Sequence, residues 1–106
     1  MKITEFTIYI KNLRANRNIT LRKLAEITGY SAGYLTDLEQ GNREPNEKLI
    51  NILINAYNLD ENSQRELFDA VANSTNNIPY DIIHFLKENP EEMQKIRETM
   101  ENSRTK

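Results

Sequence analysis

The sequence predicts an all-α fold, and three observations carry that prediction. Only three glycines and three prolines punctuate 106 residues. No stretch alternates apolar and polar residues as a half-buried strand does, and apolar residues instead recur three and four positions apart. The length suits one compact domain and is too short for two cores of ordinary size. The chain has no cysteine, which excludes a disulfide framework and a thiolate metal site. Its one histidine, His84, excludes paired-histidine metal sites, so no cofactor and no metal are expected. The N-terminus, MKITEFTIYIKNLRANRN, lacks the apolar core of a signal peptide, and no segment approaches the length of a bilayer span. A cytoplasmic chain without a membrane partner is expected.

The first helix is predicted over about Glu5 to Ala15, with Thr4 as N-cap and Phe6, Ile10 and Leu13 on one face. Asn16-Arg17-Asn18 reads as a connection. Thr20 caps a second helix whose Leu24 and Ile27 are expected to face inward, and Gly29 ends it where the chain needs positive φ. Ser31 caps a third helix with Leu35 and Leu38 inward; Gly41 ends it, and Asn42-Arg43-Glu44-Pro45 is a turn. A fourth helix spans roughly Glu47 to Tyr57, burying Leu49, Ile50 and Leu53, with Ala56 a further candidate. A fifth follows an Asp60 cap to about Ala72, with Leu67, Phe68 and Val71 inward. The polar, aperiodic run Asn73 to Asn77 marks the best boundary, dividing the chain into 1–72 and 73–106. Two shorter helices are expected beyond it, one near Tyr80 to Lys87 and one starting at Pro90 behind an Asn89 cap. The tail, Asn102 to Lys106, is expected to fray.

The informative stretch runs from Ile19 to Pro45. Two helices of under three turns, joined by a short turn containing Gly29, make a helix-turn-helix unit. Ala25 keeps the second helix thin where the third crosses it, and Leu24, Leu35 and Leu38 lock the crossing from the core side. The helix starts at Thr20 and Ser31 point unpaired N–H groups outward, a natural seat for phosphate oxygens. Charge is divided to match. Residues 1–45 carry seven lysines and arginines against five carboxylates, a net +2, whereas residues 46–106 carry seven against eleven, a net −4.

Thr20, Leu24, Ala25, Gly29, Ser31, Tyr34, Leu35, Leu38, Glu39, Gly41, Arg43 and Pro45 together resemble the lambda-repressor/Cro-like helix-turn-helix family, often called the xenobiotic-response-element family of bacterial regulators. The resemblance covers about residues 6 to 58 and implies a five-helix lambda-repressor-like DNA-binding domain followed by a short helical C-terminal extension. It also implies a sequence-specific transcriptional regulator of double-stranded DNA: a repressor or autorepressor, not an enzyme, acting as a homodimer on a near-palindromic operator. Carried over by position, Ala32, Gly33, Tyr34, Thr36 and Asp37 face the bases. Thr20, Leu21, Ser31, Asn42 and Arg43 meet phosphates, with Arg22 and Lys23 helping from the flank.

Some positions depart from the usual pattern. Ala32, Gly33 and Asp37 stand where long amide or basic side chains often make paired base contacts, and Leu21 stands where an amide is common. A second reading therefore stays open. In it the helix-turn-helix is a scaffold with weak DNA binding, and the acidic C-terminal part grips a protein partner, as in an antitoxin. Glu39 reads as structural, paired with an arginine inside the domain, and Arg14 and Arg17 read as ordinary surface charge. His84 reads as packing or surface. Met93, Ile96 and Met100 form a stripe that is either a core face or a dimerisation face.

Overall fold

The first helix begins where the chemistry of Thr4 dictates. Its hydroxyl accepts from the Thr7 N–H at 3.1 Å and Thr7 answers by accepting from the Thr4 N–H at 2.9 Å, a reciprocal cap. The computed structural model describes residues 2–104, and among them the chain forms seven helices and no strand: α1 (Glu5–Asn16), α2 (Leu21–Thr28), α3 (Ala32–Glu39), α4 (Glu47–Tyr57), α5 (Glu61–Thr75), α6 (Tyr80–Glu88) and α7 (Pro90–Arg104). The resemblance implies five helices and a short extension. The extension here is two helices, and α7, at 15 residues, equals α5 in length.

Thr20, Ser31, Asn46 and Asp60 each cap a helix through a side-chain oxygen, and Gly29, Asn58 and Asn76 end theirs in the left-handed conformation. The core is drawn from the first five helices: Phe6, Leu38, Leu49, Ile50 and Leu67 are its fully buried members, with Ile10, Leu13, Leu24, Leu35 and Leu53 around them. Burial of each such side chain contributes about 1.5–3 kcal/mol. α1 lies against α3 and α5, while α2 packs on α3 and α4, so the helix-turn-helix sits at one side of the bundle.

Several expectations need correction. Ile27 is exposed. The inward stripe of α2 is Leu21, Leu24, Ala25 and Thr28, and at 100° per residue Ile27 lies roughly 110° from its centre. Asn73, Ser74 and Thr75 are the last turn of α5, not a loop. The Ser74 hydroxyl accepts from the Phe6 N–H at 3.0 Å, and the Asn73 amide donates to Glu5 at 2.7 Å, so α1 holds that turn in place. Asn89 turns its side chain back to donate to the Phe85 carbonyl at 2.8 Å, closing α6 instead of opening α7. Asn102, Ser103 and Arg104 are helical rather than frayed, and Thr105 and Lys106 lie outside the described residues.

Arg14 is no free surface charge. Its guanidinium grips Glu39 with two hydrogen bonds, at 2.7 and 2.9 Å, and donates a third to the Ile19 carbonyl at 3.0 Å. The side-chain bond to Glu39 raises the Arg14 pKa further above its ordinary value. Glu39 is thus the structural carboxylate the sequence suggests, and it ties α1 to α3. Arg17 is exposed, as the sequence suggests, with its guanidinium over the Tyr57 ring at 5.2 Å. His84 is exposed and pairs with Glu47, which fastens α6 to α4.

Candidate nucleic-acid interface

Two local rules build the surface around α3. Ser31 has extended backbone geometry and its hydroxyl accepts from the Tyr34 N–H at 3.1 Å, while Thr20 does the same for the Lys23 N–H at 3.0 Å. Each cap satisfies one donor of its first turn, and the other early N–H groups have no intrahelical acceptor. Gly29, at φ 82°, makes the turn between the two helices. Leu35 and Leu38 pull one face of α3 into the core, which leaves Ser31, Ala32 and Gly33 exposed and Thr36 and Asp37 half-buried on the other.

Gly41 brings the following loop back to this face. Its φ is 76°, and a Cβ there would stand 2.0 Å from the Lys2 carbonyl oxygen, so no other residue fits without moving the N-terminal segment. The Lys2 N–H donates to the Gln40 carbonyl at 2.8 Å, fixing that segment across the end of α3. The Asn42 N–H then donates to the Asp37 carbonyl at 2.9 Å. Arg43 is thereby placed beside α3: its guanidinium lies 5.2 Å over the Tyr34 ring and 3.9 Å from the Asp37 carboxylate. The Tyr34 ring also stacks on Tyr30, centroids 4.9 Å apart.

The structure therefore gathers Ser31, Ala32, Gly33, Tyr34, Asp37, Asn42 and Arg43 on one surface. Thr20, Arg22 and Lys23 are exposed on the neighbouring first turn of α2. Two predicted residues are less available than the sequence suggests. Leu21 is half-buried against the core, and the Thr36 hydroxyl donates to the Ala32 carbonyl at 2.8 Å. Lys23 spends part of its charge on Glu26, 3.6 Å away. Tyr30, just before α3, belongs to the same surface and is not among the site residues read from the sequence; its stacking on Tyr34 holds it there.

Gly33 stands apart from the other glycines. Its φ is not positive, and a Cβ built on it meets nothing within 4 Å. Neither backbone conformation nor internal packing asks for glycine at this exposed helical position, where it weakens the helix. The arrangement as a whole is a smooth ridge without long side chains at its tip, flanked by cations. It offers backbone and short polar groups to a surface that approaches closely, and Arg43 as the directed donor at its edge.

Comparison with known proteins agrees with this local architecture. A family model described as a helix-turn-helix domain matches residues 5–67. No curated protein and no solved structure matches the chain.

Proposed function

The chain belongs to the helix-turn-helix domain family, and from that premise we propose that it is a transcriptional regulator that binds double-stranded DNA sequence-specifically with α3 in the major groove. In this reading it belongs to the Cro-like, xenobiotic-response-element branch and acts as a homodimeric repressor in the cytoplasm by occluding a promoter. It is a binding protein and no enzyme. Residues 1–72 are its DNA-reading unit and 73–106 its extension, although the last turn of α5 carries Asn73–Thr75 with the former.

The single observation that carries the proposal is Gly33: an exposed glycine at the outward tip of α3 that the domain itself does not need. Close approach of backbone to a ligand is the remaining physical use for it. Ala32 offers its methyl to a thymine methyl, and Asp37 accepts from cytosine N4. Ser31, Thr20 and Arg43 meet phosphates, with Asn42, Arg22 and Lys23 at the flanks.

Fluorescence-anisotropy titration against the DNA upstream of its own gene and against a random duplex pool tests the reading. Saturable upstream binding that exceeds the pool, weakens with salt and falls in Arg43→Ala is the expected result. Absence of binding by folded protein at low salt would transfer support to the second reading, a partner-binding protein such as an antitoxin. One observation favours that alternative: Asp37 already offsets part of the charge of Arg43.

A further inference from the structure

Tyr80 packs α6 against the core, but no residue of α6 or α7 is fully buried, and much of the apolar surface of the two C-terminal helices is left open. Ile82 and Phe85 on α6 are 47% and 54% exposed, and Met93, Ile96 and Met100 on α7 are 43%, 46% and 49% exposed. All but Met93 border an open groove of about 650 Å³ between the two helices. A molecule of this length folded to ordinary compactness has a radius of gyration of about 13 Å; here it is 16.7 Å, with a longest dimension of 54 Å. A 15-residue helix with one solvated apolar stripe is marginal by itself in water.

We propose that this groove is filled by α7 of a second copy of the chain, the two α6–α7 hairpins closing into an antiparallel four-helix bundle about a two-fold axis. The charges on the groove select that occupant. Glu92 lines it near one end of α7 and Arg104 at the other, roughly 18 Å apart along the helix. When Ile96 faces Met100 of the second copy, antiparallel pairing sets Glu92, which lies 3.2 Å from Lys95 of its own helix, opposite Arg104. Two-fold symmetry makes that pair twice. A parallel pairing sets Glu92 against Glu92 and Arg104 against Arg104, which repel. Glu98 falls opposite its own copy in the antiparallel register, but it does not line the groove. The groove is thus complementary to itself in one orientation, in charge as well as in apolar surface.

This deepens the dimeric part of the functional reading above and rests on it. Its test uses no DNA, so failure of dimerisation and failure of DNA binding are told apart. Sedimentation equilibrium of the full chain from about 1 to 100 μM reads the monomer–dimer constant. Ile96→Glu raises that constant at least about 100-fold, because it sets a charge into the apolar seam. Glu92→Arg and Arg104→Glu each raise it about fivefold. An equimolar mixture of those two variants forms a heterodimer nearly as tight as the unaltered protein, since opposite charges then face each other at both ends. Circular dichroism confirms that each variant remains folded, as the substituted positions lie outside the buried core. A monomer throughout the range, a dimer indifferent to Ile96→Glu, or a mixture no tighter than the separate variants overturns the proposal.

Discussion

Gly33 is where fold and function ask for different residues. Alanine there relieves the entropic cost of glycine in a helix and meets nothing within 4 Å, so Gly33→Ala raises stability by about 0.5 kcal/mol. If the backbone approaches DNA at this point, the same change weakens binding by about tenfold, roughly 1.4 kcal/mol. A thermal melt and an anisotropy titration of one variant read both effects, and unchanged affinity removes Gly33 from the interface. Asp37→Asn tests the neighbouring electrostatics. It frees Arg43 from a carboxylate 3.9 Å away, so binding to random duplex tightens about threefold and its salt dependence steepens. Weaker binding on every duplex assigns Asp37 a different role. Inside the domain, Arg14→Ala strands the buried Glu39 carboxylate and lowers stability by about 2 kcal/mol in denaturant titration. Glu39 was legible as structural from its place late in the third helix. Its partner Arg14 was not, because a bond spanning 25 residues leaves no local spacing to read.

At the scale of the element, legibility follows the range of the forces involved. Thr4, Thr20, Ser31 and Asp60 act on N–H groups three residues away, so the sequence places those helix starts directly. The end of α5 is set by Glu5 and Phe6, 68 residues away, and a polar run such as Asn73–Thr75 gives no hint of that support. Ile27 fails for another reason: α2 has only eight residues, and one inward leucine does not define the centre of its stripe. The Asp60 cap carries a pH signature. Hydrogen bonds from Ser63, the backbone N–H first, hold its carboxyl below the ordinary carboxylate range. A depressed carboxylate contributes stability above its unfolded value of about 3.9 and loses it as pH falls through the folded value. The melting-temperature advantage of the unaltered protein over Asp60→Asn is therefore present at pH 7 and shrinks in acid. An advantage constant to pH 2.5 contradicts this account of the cap.

The whole molecule is elongated because its helical hairpin reaches away from the domain that holds the core. The chain's charge divides elsewhere, between α3 and α4 inside the core domain: net positive over residues 1–45 and net negative over 46–106. That division was legible in the sequence, and so was the helix-turn-helix, since its caps, glycines and leucines are all local signals. The Tyr30–Tyr34–Arg43 arrangement was not, because it depends on how Gly41 returns the loop to α3. If the α6–α7 hairpins pair, protection footprinting shows two half-sites related by a two-fold axis. A single protected half-site at saturation contradicts a two-fold assembly on DNA.

The central claim, that the face of α3 is the DNA surface, is tested most directly by amide chemical-shift mapping of the labelled protein titrated with the upstream duplex. The account predicts that shifts concentrate at Thr20 to Lys23, Ser31 to Asp37 and Asn42–Arg43, while α6 and α7 stay unmoved. Shifts confined to the α6–α7 hairpin, or none at a concentration where the duplex is bound, would contradict it.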